Sequence, residues 1–182
     1  MCIIYYYHYY YCYQPVTYQK ICKVINRMKS SGSPCPIDQI SIICFKRCPY
    51  LRSYLLDVCN EAIAKNSIPE SWTKAVTILI YKKGEANLPE NFRPITLEPI
   101  TLKIFTSIIR NQIFDFLLKN NYIETYYQKG FTPKMSGTFE HIAELEHIIN
   151  HSRLKQRSLV VTLIDLRNAF GTVNHHLKYN LF

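Results

Sequence analysis

Long apolar runs are missing from this 182-residue chain: none approaches the ~20 residues of a membrane-spanning helix, so no membrane association is expected. The first residues hold neither a basic segment nor an uninterrupted apolar one, so no secretory leader is expected either. Cysteine is absent beyond position 59: all seven, Cys2, Cys12, Cys22, Cys35, Cys44, Cys48 and Cys59, come before it, and their number is odd. Cys44 and Cys48 lie four apart, but no second Cys/His pair has the spacing of zinc ligands. The pattern therefore points to reduced thiols in an intracellular protein, in the cytoplasm or nucleus. Acidic residues are also short, with 13 Asp and Glu against 22 Lys and Arg, a net charge of +9. Such an excess suits a polyanionic partner such as nucleic acid, and it equally suits a merely soluble basic protein. No internal repeat is visible. Apolar residues make up 48% of the chain, enough for a packed core and too many for wholesale disorder.

Seven of the fifteen Tyr fall in the first thirteen positions, in "MCIIYYYHYYYCYQPV", a stretch with neither helical periodicity nor alternation. We read residues 1–30 as a Tyr-rich extension carrying one short helix, marked by Ile21, Val24, Ile25 and Met28. A Ser/Gly/Pro linker, Ser30 to Pro36, follows. Leu51, Tyr54, Leu55, Val58 and Ala62 predict an amphipathic helix from Pro49 to Lys65. "KAVTILIY" predicts a strand with apolar residues on both faces, and "KKGEANLPENFRPITL" a loop and a returning strand. Pro94 confines that second strand to an edge or a bulge, so the pair reads as a β-hairpin with a basic tip. Leu102, Phe105, Ile109, Ile113, Phe116 and Leu117 mark a helix over Thr101 to Lys119; Phe139, Ile142, Leu145 and Ile149 mark another from Thr138 to His151. "SLVVTLI", Ser158 to Ile164, has the strongest strand composition in the chain. The class is α+β.

That last apolar run stops at one acid, Asp165. A carboxylate at the exit of a buried strand is costly to desolvate unless it is paired or binds a cation. A turn-forming Asp, or a contact between Asp165 and Arg167, meets the requirement as well as catalysis does. Four histidines read as structural or solvent-facing rather than as shared metal ligands: adjacent His175 and His176 face different ways on a helix, and His141 and His147 are six apart.

Four blocks carry a family resemblance. Asp165 with Ala169 and Phe170, closing a strand, resembles motif A of the polymerase palm. "NFRPITL" from Asn91, "QKGF" from Gln128 followed by "SGTFEHI", and "IPESWTKAVTILIYKKG" from Ile68 resemble, in order and separation, successive blocks of the reverse transcriptases of non-LTR (LINE-type) retrotransposons. The resemblance covers residues 31–182. It implies a partial reverse transcriptase domain, the fingers and the start of the palm of a right-hand fold. It implies an RNA template, a DNA primer and deoxynucleoside triphosphates as partners, and Mg²⁺ as cofactor of the parent enzyme.

The resemblance also assigns roles. Asp165 would be the catalytic, metal-binding carboxylate. Phe170, beside Ala169, would occupy the space of a ribose 2′-hydroxyl. Arg93, with Lys82 and Lys83, would neutralise the triphosphate, and Gln128, Gly130 and Phe131 would line the nucleotide side. Lys129, Lys134 and Arg153 would meet the nucleic-acid backbone. A solvated basic loop and an ordinary turn glycine are the plain alternatives for the lysines and for Gly130. Two departures stand out: Gly171 follows Phe170 where relatives carry Asp, and Gly137 stands where Ser is common, leaving Ser136 or Thr138 to cap the next helix. The chain has no Asp-Asp pair, so the carboxylate hairpin that completes a two-metal site is missing, and the chain alone is expected to be inactive. A non-catalytic RNA- or DNA-binding module, or a relic of a decayed element, is the alternative expectation.

Overall fold

The structure, a computed structural model, describes residues 14–31, 34–130, 132 and 135–166. It divides into two units, Met1–Glu124 and Thr125–Phe182. The boundary expected after residue 30 falls inside the first unit.

Five α-helices, two short 3-10 turns and one hairpin are the regular elements among the described residues. In the first unit, α1 (Tyr18–Arg27) starts at Thr17, whose hydroxyl accepts the Lys20 amide, and buries Ile21, Val24 and Ile25. The short α2 (Ile42–Arg47) is capped by Ser41, and α3 (Pro49–Lys65) opens with proline at its first position. It ends at Asn66 in the left-handed region (φ 50°), a conformation asparagine tolerates. The long α4 (Ile100–Lys119) follows the hairpin. Of these helices α1 is central, packing on α2, α3 and α4.

Their shared core is Ile21, Val24 and Ile25 of α1, Ile42 and Phe45 of α2, Leu55 and Cys59 of α3 and Ile104 and Ile108 of α4, with Val16 and Trp72. Trp72 meets Phe105 at 5.3 Å between ring centroids. The helix set apart with the N-terminal extension is thus part of the core. Polar side chains close the helix ends. Arg52 of α3 donates from Nε to the Phe45 carbonyl (2.6 Å) and from Nη2 to that of Lys46, satisfying the last turn of α2. Lys46 Nζ donates to the Met28 carbonyl (2.6 Å) just past α1. Asn60 clamps Val16 from both sides, accepting its amide at 2.8 Å and donating to its carbonyl at 3.1 Å.

The hairpin is β1 (Val76–Tyr81) paired antiparallel with β2 (Phe92–Leu97). Lys82 N donates to the Asn91 carbonyl at 2.8 Å, so by antiparallel alternation the Leu79–Pro94 rung is non-hydrogen-bonded. Pro94 therefore forfeits no ladder bond. At the likewise open Thr77–Thr96 rung the two hydroxyls meet at 3.0 Å. The strands and the proline are as expected, but burial is not. Leu79 is 64% exposed, and Ile78, Ile80 and Ile95 on the other face are 41–45% exposed.

The second unit holds α5 (Thr138–Leu154), none of whose residues is buried. The strand expected over Ser158 to Ile164 does not form: residues 157–166 carry no secondary structure and are exposed, Ile164 to 88%. A strand owes its ladder to a neighbour, and the sheet among the described residues holds β1 and β2 alone. Among the described residues no helix is long and apolar enough to cross a membrane.

Candidate nucleotide and nucleic-acid site

The basic end of the hairpin is built by Asn91. Its backbone carbonyl accepts from Lys82, its side-chain amide donates to the Glu85 carbonyl at 2.8 Å, and its own N–H donates to the Leu88 carbonyl at 3.1 Å. Gly84, at φ +97°, lets the tip fold back: a Cβ there would stand 2.6 Å from Asn91 Nδ2. Tyr81 donates its hydroxyl to the Gly84 carbonyl and packs edge-on against Phe92, with centroids 5.6 Å apart. Sequence reasoning gave Asn91 no role. Its place between a turn-rich loop and a strand was the available signal.

This scaffold brings together three of the residues singled out by sequence. Lys82 stands opposite Asn91 at the end of β1 and Lys83 is next in the loop. Arg93 pairs with Ile80 two rungs below, on the face that also carries Ile78 and Ile95. All three side chains are exposed, and none forms an ion pair with a described residue. Their charges are free to meet a polyanion from solvent.

In the second unit Gln128, Lys129 and Gly130 form one tight loop. Gln128 Nε2 donates to the Gly130 carbonyl at 2.9 Å, and the Thr132 hydroxyl to the Gln128 carbonyl at 2.6 Å. Gln128 and Gly130 are exposed. Lys129 differs: it is 9% exposed, its ammonium bonds Glu140 Oε2 at 2.6 Å, and it lies 5.3 Å from the centre of the Tyr126 ring. Its ammonium is thus paired within the unit, unlike those of Lys82 and Lys83. The Lys129 ammonium and the Ser136 hydroxyl, both bonded to Glu140, hold that carboxyl below the usual carboxylate range. Ser136 is thereby drawn away from capping α5, whose N-cap is Gly137 (φ 73°) with no side-chain bond. Arg153 lies exposed in the last turn of α5.

Asp165 lies in the exposed segment after α5, not at the end of a buried strand. The desolvation argument that singled it out therefore does not apply to it here. Phe131, Lys134, Ala169 and Phe170 lie outside the described residues, as does Arg167. Two magnesium ions need several oxygen ligands between them. Among the described residues no three His, Cys, Asp or Glu side chains converge to hold a metal.

No protein-family model matches the chain. Curated proteins do. It is 27% identical over 165 residues, 89% of its length, to the probable RNA-directed DNA polymerase from transposon BS of Drosophila melanogaster. It is 28% identical over 114 residues, 62% of its length, to the retrovirus-related Pol polyprotein from type-1 retrotransposable element R2 of Popillia japonica. Over 163 residues, 88% of its length, it is 26% identical to the transposon TX1 149 kDa protein of Xenopus laevis. The matched stretch spans 18%, 15% and 12% of these three relatives. By sequence the chain is similar to one stretch of each of these transposon and retrotransposable-element proteins.

Proposed function

We propose that this chain is the fingers and first palm motif of an RNA-directed DNA polymerase from a non-LTR retrotransposon. The parent reaction joins a deoxynucleotide to a primer 3′-oxygen on an RNA template. The observation that carries the reading is the 27% identity to the transposon BS RNA-directed DNA polymerase over 89% of the chain. Lys82, Lys83 and Arg93 of the hairpin, exposed and in no ion pair with a described residue, support it. In this reading the planar fork of Arg93 and the two ammonium groups neutralise the triphosphate as it docks. Gln128 and Gly130 offer an amide and a bare backbone to the nucleotide side, and Phe170 excludes the ribose 2′-hydroxyl. Asp165 serves the parent's magnesium chemistry, for which one carboxylate does not suffice, and these 182 residues hold no Asp-Asp pair.

The chain by itself is therefore inactive in polymerisation while retaining phosphate contacts. Primer extension by the purified 182-residue chain on an RNA template should give no product above an Asp165→Ala control; templated product above that control refutes inactivity. Binding to the same template–primer should weaken with salt, and Lys82→Ala with Lys83→Ala should reduce the log–log salt slope by about 1 per lysine. A slope unchanged by both substitutions removes the hairpin from the contact.

A further inference from the structure

On α5, outside every role considered above, two histidines stand one helical turn apart on the same face. The rings of His147 and His151 stack with centroids 6.3 Å apart and planes 28° from parallel. Both are exposed. The spacing i, i+4 is the one by which two imidazoles of a single helix share a zinc ion. His141, the third histidine of the helix, is held elsewhere, with Nε2 3.2 Å from the Tyr127 carbonyl and Nδ1 3.6 Å from Glu144 Oε2. Glu144 lies one turn before His147 and adds negative potential near the pair.

We propose that His147 and His151 form a two-point chelate for a divalent transition ion of the zinc class, with its other positions taken by water. Imidazole nitrogen suits zinc, copper or nickel and not magnesium, which prefers oxygen. The site is therefore distinct in ligand and location from any magnesium chemistry at Asp165. It needs only small ring rotations, because the two side chains already lie side by side. It also has a structural consequence. No residue of α5 is buried, and a helix without tertiary burial is marginal, so a clasp across one turn raises its helicity.

The test is a zinc titration of the full 182-residue chain, free zinc being set by a metal buffer. It is followed at the ring NMR signals of His147 and His151, because thiols are themselves zinc ligands and total uptake would not discriminate. Both rings should shift with one shared midpoint, while magnesium in the same range moves neither. In His147→Ala the midpoint for His151 should rise at least about tenfold, and the reciprocal variant should do the same to His147. His141→Ala, with α5 helicity checked by circular dichroism, should leave the shared midpoint in place. A His151 signal that titrates unchanged in His147→Ala, or rings that never respond, overturns the proposal.

Discussion

Lys129 is the one buried cation among the described residues, and its carboxylate partner is half-exposed on the first turn of α5. The pair fixes the Gln128–Gly130 loop to the helix that follows it, so its ionisation matters to the site as well as to stability. Glu140's carboxyl is held below its ordinary range by Lys129 first and Ser136 second. The unfolded chain titrates near ~4.3. A group depressed in the folded state contributes stability above that unfolded value and loses it as pH falls through the lower folded one. The Glu140 side-chain NMR titration should accordingly have its midpoint below ~4.3. Lys129→Ala should move it up, and Ser136→Ala should move it up by less. Glu140→Gln should unfold more readily than the native chain at neutral pH and converge with it in acid. A Glu140 midpoint at or above the unfolded value removes the pair from the loop's support.

At the scale of elements, the hairpin depends on two residues of its tip. Gly84→Ala places a Cβ where Asn91's amide sits and forces a side chain onto a φ of +97°. A strain of ~1–3 kcal/mol is expected there. The readout is exchange protection of the Lys82 amide, which bonds Asn91: the substitution should abolish it while α1 and α3 keep theirs. Retained protection would mean that the tip folds without Asn91 at its centre. The hairpin was legible because turn chemistry, strand composition and an edge proline agree at Lys82 to Leu97. The limits of α3 and α4 were close to those expected, whereas α5 runs on to Leu154, past the expected His151, and the short α2 was not expected. Helix faces were less legible. On α3, Tyr54 belongs to the expected stripe but is 70% exposed, while Cys59, packing as a small apolar side chain, is fully buried. On α4, apolar residues run around more than one face, and the buried set, Ile104, Ile108 and Phe116, lies about one position away from most of the stripe that periodicity selects. The segment at Ser158 to Ile164 shows the complementary limit: composition proposes a strand, and only a partner makes one.

Across the whole molecule, burial is uneven, and cysteine chemistry reports it. The first unit holds the buried cluster of Val16, Ile21, Ile25, Leu55, Cys59, Ile104 and Ile108, whereas α5 in the second buries nothing. Cys44 lies exposed on α2, while Cys59 sits at 0% exposure in that core. Burial pushes the Cys59 thiol from 9.0 up to about 12. At a given pH this lowers its thiolate fraction about a thousandfold, on top of the steric barrier. Alkylation of the native chain at mildly alkaline pH should therefore modify Cys44 promptly and leave Cys59 untouched. Cys59 should react only at the rate at which α1, α3 and α4 open together, and denaturant should bring both cysteines to the same rate. If Cys59 labels with Cys44 in the absence of denaturant, α1, α3 and α4 do not close over this core.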